Sequence, residues 1–169
     1  MRNMGKALAY VGVGLITFIL YIAFVGSLEP TDLVFAIVIS CVVAALVGGV
    51  VVEHGGKLFS LRRLGYLIAY AIHYLLIVEV KAHAGLIKRI ITGEVKPAIV
   101  KVPYGVKTDY ALLMVANSIT NTPGTVVVDV DEGKGVMYVH WIFAKALEPK
   151  EAREHVSKLF EKYASKVLD

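Results

Sequence analysis

Two runs of apolar residues without a single charge fill the first third of the chain and restrict its possible folds more than any other feature. Residues 7–28 form one run and residues 33–52 the other. At about 1.5 Å per residue, roughly twenty helical residues cover a hydrocarbon core of about 30 Å. In lipid every backbone N–H and C=O must be satisfied internally, so the β-branched residues of the second run remain compatible with a helix. Two transmembrane helices are expected. The first run outlasts the apolar core of a signal peptide, about 7–15 residues, and no clear small-x-small cleavage site goes with it, so it reads as a retained span. Gly48-Gly49, late in the second run, permits close helix approach. Gly is common in membrane helices, and no packing specificity is read from the pair.

Basic residues set the orientation. Arg2 and Lys6 precede the first span, Glu29 and Asp32 occupy the short link, and Lys57, Arg62 and Arg63 follow the second span. The positive-inside rule places both ends on the cytoplasmic side of a multi-pass protein of the cell (plasma) membrane. A third apolar segment, residues 64–78, is uncharged but holds His73 and three tyrosines, and Glu79, Lys81 and His83 follow it. A full crossing there would carry Lys81, Lys88, Arg89, Lys96, Lys101 and Lys107 outside, against that rule. The third helix, interfacial or spanning, therefore reads preferably as an amphipathic helix on the inner surface. Tyr66, Tyr70 and Tyr74 recur every four residues, as rings with one wet end would, while Leu64, Leu67, Ile68, Ala71, Leu75 and Val78 form an apolar face.

Three segments follow from this: two transmembrane helices over 1–56, the third helix over 57–93, and a small cytoplasmic α+β domain over 94–169. In the last, Ala98–Pro103 and residues 126–131 and 136–143 read as strands, the latter two joined by a hairpin across Glu132-Gly133-Lys134-Gly135. Residues 109–120 read as a helix capped by Thr108 or Asp109. In the turn that follows, Pro123 forces its predecessor out of helical geometry and Gly124 permits a left-handed step. A final helix opens near Pro149, with Glu154 and Lys158 paired at i, i+4 and Ala152, Val156, Leu159, Tyr163 and Val167 as its buried stripe. The order is β-α-β-β-α.

The residues exclude several chemistries. The lone Cys41 lies inside a span, so neither an intrachain disulfide nor a cysteine-held metal or iron–sulfur centre can form. Asp129-x-Asp131-x-Gly133 begins like a calcium loop, but Lys134 stands where Gly is needed and His140 where Glu is needed. Gly56-Lys57 lacks the other residues of a phosphate-binding loop. Ser118 and His140 have no strand-nucleophile-helix context for a hydrolase. No catalytic, cofactor-binding or metal-binding residues are assigned, and an enzyme is not expected. The net charge of +4 is met by lipid headgroups beside a membrane segment, with no need of nucleic acid. The absence of Gln, with only three Asn, is a thermophile-like bias against thermolabile amides. One ionisable group stands close to membrane depth: Glu79, with His83 one turn on and His73 six residues before, either a transport residue or one of an ordinary interfacial pair.

Glu79-x-Lys81-Ala82, Lys96-Pro97-Ala98-Ile99-Val100, the stretch from Ala116 through Asn117, Ser118, Ile119, Thr120, Asn121, Thr122, Pro123 and Gly124 to Thr125, and Tyr138-Val139-His140 together resemble the E subunit of the multisubunit Mrp-type sodium/proton antiporter. The family motif is carried by Asn117, Ile119, Thr120, Thr122, Pro123, Gly124 and Thr125; Asn121 stands where the family usually has an apolar residue, and His83 where it usually has Asn. The resemblance implies a non-catalytic accessory subunit of an ion-translocating complex, without cofactors, its partners being hydrophobic sister subunits and membrane lipids. Similar modules occur in archaeal membrane-bound hydrogenases and related sulfur-reducing complexes, and the thermophile-like composition favours such a host. The alternative is a free-standing membrane-anchored module that recruits a soluble partner.

Overall fold

The computed structural model describes residues 2–51 and 60–169. The link carrying Lys57, the Gly56-Lys57 pair and the boundary expected at 56/57 lie outside the described residues. The chain divides into two compact units, Met1–Leu64 and Gly65–Asp169.

The first unit is a helical hairpin of α1 (Arg2–Val25) and α2 (Pro30–Val51), which pack along one another. Its spans, Lys6–Val25 and Pro30–Gly49, are long and apolar enough to cross a membrane, as is the helical stretch Leu61–Thr92. Most side chains on the hairpin point outward: Leu20, Phe24, Phe35 and Leu46 are exposed, whereas Ala9, Ala36, Ser40 and Ala44 are buried at the seam. Small residues there let the backbones approach, which is how membrane helices pack when the lipid is as apolar as their side chains. Gly48 shares this role, contrary to the neutral reading of Gly48-Gly49: a Cβ on Gly48 would lie 2.7 Å from Tyr10 Cδ1 and 3.1 Å from Tyr10 Cα. The second distance is to backbone, so a side chain there must push the helices apart. Gly48→Ala should therefore weaken the hairpin by about 1–3 kcal/mol. By contrast Gly14→Ala, whose Cβ would meet Ala44 at an ordinary 3.6 Å, should be neutral. The midpoint of SDS-induced unfolding of each variant in mild detergent checks the contrast.

The second unit opens within α3 (Leu61–His73), which continues through a π-helical turn (Tyr74–Val78) into α4 (Glu79–Thr92), one helical run in which the turn contains one residue more than an α-turn. There follow β1 (Ala98–Pro103), α5 (Asp109–Asn121), β2 (Thr125–Asp131), β3 (Val136–Trp141), α6 (Pro149–Val156) and α7 (Lys158–Val167). The sheet is antiparallel in the order β1-β3-β2, with Val100 opposite Val139 and Val139 opposite Val127. A bulge between Val127 and Asp129 shifts the register of β2. Helices cover one face, α5 lying on β2 and α7, and α6 on β1. Val100, Val102, Met137 and Val139 point into this layer, whereas Ile99, Val126 and Val128 on the strands are exposed. This is a small α+β domain joined to membrane helices.

Two features differ from the sequence expectation. The third helix shares the core of the α+β domain, since Tyr74 of the π turn is buried in it and Tyr70 of α3 and Val78 of the turn pack against it, within a compact unit that begins at Gly65. The last helix is also broken at Ser157 into α6 and α7. The break shifts the phase of the buried stripe: Ala152, Val156 and Val167 are buried as expected, but Phe160 and Ala164 take the places assigned to Leu159 and Tyr163. Thr108 caps α5, its Oγ1 accepting from Ala111 N at 3.2 Å.

Candidate functional site

The family-motif residues occupy the last turns of α5 and the corner into β2, and their polar groups close the corner on itself. Thr122 Oγ1 donates to Ser118 O at 2.7 Å, and Thr125 Oγ1 donates to Ile119 O at 2.7 Å. Thr120 Oγ1 accepts from Val127 N at 3.2 Å, tying the helix to the strand it feeds. Thr122, before Pro123, is extended at φ −82° and ψ 123°, as the proline ring requires. Gly124 has φ +99°, and a Cβ on it would lie 3.1 Å from Ile142 Cγ2. Ile119 is fully buried beneath the corner. The corner is thus a self-satisfied hydrogen-bonded turn, and its outer side forms an open cleft of about 530 Å³ lined by Tyr70, Tyr74, Met114, Asn117, Ser118, Thr120 and Asn121.

The third helix supplies the other wall. Ser118 Oγ donates to Met114 O at 2.6 Å, so the 2.5 Å contact with Tyr70 is donated by the tyrosine. Asn121 Nδ2 donates to Tyr74 Oη at 3.0 Å, and since Thr122 has committed its proton to Ser118, Tyr74 donates to Thr122 Oγ1 at 3.4 Å. The tyrosine row therefore does not only present wet ends to the interface. The hydroxyls of Tyr70 and Tyr74 seat the signature corner on the helix, while their rings pack at a tilt on α7, Tyr74 on Phe160 at 6.0 Å and Tyr70 on Tyr163 at 5.6 Å between centroids. The signal in the sequence was the four-residue spacing of hydroxyl-bearing rings on an apolar helix. Their partners, 48 residues away, had no local signal.

Of the ionisable group, Glu79 and His83 come together and His73 goes elsewhere. Glu79 follows the π turn directly, its N–H donating to Tyr74 O. Its Oε2 lies 3.5 Å from His83 Nδ1, which also lies 2.9 Å from Glu79 O. His73 Nδ1 instead meets Tyr163 Oη at 3.1 Å. Among the described residues no three His, Cys, Asp or Glu side chains converge as a metal site would require. Asp131 of the calcium-like stretch closes the hairpin on Lys134, with Lys134 N donating to its Oδ1 at 3.0 Å. The Lys134 ammonium holds the Asp131 carboxyl below the usual carboxylate range.

A buried carboxylate that the sequence did not point to lies on α7. Glu161 accepts from Arg153 Nη2 at 2.6 Å and Nε at 3.1 Å, from Ser157 Oγ at 2.6 Å and from Gly105 N at 2.8 Å. Burial would raise its pKa, but the hydrogen bonds from Arg153, Ser157 and Gly105 outweigh burial and hold it below the ordinary value. The cluster spans the α6–α7 break and fastens the loop after β1, a structural role away from the cleft.

Comparison with known proteins takes in nearly the whole chain. A family model described as Na+/H+ ion antiporter subunit matches residues 14–167. Among solved structures, a chain of the membrane-bound sulfane sulfur reductase, an archaeal respiratory membrane complex, has 26% identity and a TM-score of 0.82, covering 95% of this chain and 99% of that one. No curated protein matches significantly. Since the family match takes in the hairpin from residue 14 on, the tyrosine helix and the corner seated on it, the chain belongs to the Na+/H+ ion antiporter subunit family.

Proposed function

We propose that the chain is a non-catalytic subunit of a multisubunit ion-translocating complex of the sodium/proton antiporter type, and that its host is an archaeal membrane-bound hydrogenase or a related respiratory complex. The observation that carries this is the near end-to-end match, in both directions, to one chain of a respiratory membrane complex. The internal hydrogen bonding of the signature corner supports a scaffold role, because groups already paired with one another have little left for turnover. In this reading α1 and α2 pack against sister subunits in the plasma membrane, and the α+β domain braces the assembly from the cytoplasm.

Mass spectrometry of whatever co-purifies with the chain in mild detergent tests it. Iron–sulfur and nickel subunits beside antiporter-like subunits would place the chain in a membrane-bound hydrogenase, and iron–sulfur subunits without nickel in a related respiratory pump. Antiporter subunits alone would refute the respiratory host and leave a stand-alone exchanger. A lone species would refute the subunit reading in favour of an anchored module recruiting a soluble partner. Glu79 with His83 is the group assigned a coupling role, as an ionisable pair one turn apart on the third helix. Glu79→Gln should slow sodium-driven transport in vesicles holding the intact complex by at least tenfold if it couples, and unchanged transport removes the role.

A further inference from the structure

The third helix has a second surface, turned away from the tyrosine contacts. Leu64, Ile68, Ile72, Leu75, Ile87 and Ile90 on it are all exposed, Ile90 at 72%. Leu64, Ile68 and Ile72 precede the π turn, Leu75 lies within it, and Ile87 and Ile90 follow it. In an unbroken α-helix of about 100° per residue, Tyr70 and Arg89 would point about 100° apart, and Leu64 and Ile90 about 80° apart. The turn absorbs one residue, as the bond from Glu79 N–H to Tyr74 O shows, and so winds α4 back by about 100°. Tyr70 and Arg89 then share a face. Both do touch the α+β domain, Tyr70 through Ser118 and Arg89 through the Phe143 ring at 4.1 Å. The same correction brings Leu64 and Ile90 to within about 20° of each other, so the π turn makes one apolar stripe of the two halves.

We propose that this stripe docks the domain onto the phospholipid surface of the membrane crossed by α1 and α2, the helix lying in the headgroup–acyl boundary instead of crossing it. A crossing needs about twenty residues in the hydrocarbon, and every such window of Leu61–Thr92 contains residues 73–80. Tyr74 would then sit inside the bilayer together with what it holds: the Asn121 amide, Thr122, and α7, whose Glu161 pairs with Arg153 of α6. A domain so rich in ionic groups cannot follow it there.

Spin labels test the geometry in the full chain reconstituted into vesicles of equal parts phosphatidylglycerol and phosphatidylethanolamine. Cys41, exposed on α2, is the reference inside a span. Ile68→Cys, Leu75→Cys and Ile90→Cys are each made in a Cys41→Ala background. The three labels should report one shallow depth, about 5–10 Å below the phosphates, with oxygen more accessible than a water-soluble relaxant. A label at Leu75→Cys as deep as that on Cys41, flanked by shallow labels on the other two, would mean a third span and overturn the proposal. Water accessibility at all three positions would also overturn it, and would assign the stripe to a protein partner. Neither outcome depends on which complex hosts the chain, so the test stands apart from the co-purification.

Discussion

Glu161→Ala should lower the stability of the α+β unit by about 2–4 kcal/mol. Removing one partner of a buried ion pair costs about 3–5 kcal/mol, because the other groups keep their desolvation penalty without their bond. Here three donors are stranded: the Arg153 guanidinium, Ser157 Oγ and Gly105 N, of which Ser157 is fully buried. The Arg153 side chain is 39% exposed, so water takes over part of its loss and the expected value lies below the top of that range. Trp141 is the only tryptophan and lies at the end of β3, so its fluorescence during urea unfolding in mild detergent reports this unit and not the hairpin. The pH dependence has a definite sign. Since the folded-state pKa of Glu161 is depressed, its contribution is present above the ordinary carboxylate value of about 4.3 and is lost as pH falls through the lower folded value. The native chain should therefore lose stability in acid more steeply than Glu161→Gln, which has no charge to lose. Equal slopes would show that folding does not depress the pKa of Glu161.

How far the sequence revealed these structures depends on how local their causes are. The spans follow from length and absence of charge. Strand β1 and the β2–β3 hairpin follow from short β-branched runs punctuated by Gly, and the start of α5 from a threonine whose hydroxyl has a free N–H three residues on. The break at Ser157 has no such signature, since neither Gly nor Pro stands there. Nothing local distinguishes Val156-Ser157-Lys158 from continuous helix; what the break accompanies is a carboxylate on α7 bonding an arginine eight residues earlier and the N–H of Gly105, 56 residues earlier. The π turn was half legible. In an unbroken helix Ile72 and Ile87 would point about 60° apart and Leu64 and Ile90 about 80° apart, a drift in the apolar stripe of the kind such a turn corrects. At the signature corner, Pro123 and Gly124 announced the turn, whereas its docking on Tyr70 and Tyr74 could not be read from local periodicity. Of the ionisable residues singled out, Glu79 and His83 are one helical turn apart and do meet, while His73 lies on the side that faces α7.

Phe160→Ala should be the most damaging single truncation in the unit, at about 3–5 kcal/mol. The ring is 6% exposed on α7, inside the core that also contains Val100, Val139 and Tyr74. Its loss removes transfer energy and leaves a cavity between helices whose positions other bonds hold in place, so the site cannot collapse fully. The urea midpoint followed by Trp141 should fall with its slope unchanged, the mark of a loss of stability without a change in the surface exposed on unfolding. Tyr74→Phe provides the contrast, because it keeps the ring against Phe160 and deletes only the hydroxyl that accepts from Asn121 and donates to Thr122. Two neutral hydrogen bonds, one of them at 3.4 Å, put that loss at about 1–2 kcal/mol. The ranking separates two accounts of how the third helix is held. If ring packing dominates, Phe160→Ala should also speed tryptic cleavage at Lys81 and Lys88, since a helix loosened at Tyr74 exposes its backbone, while Tyr74→Phe should leave cleavage slow. The reverse order would show that the hydroxyls of the signature corner, and not the aromatic stack behind them, fasten the helix to the domain.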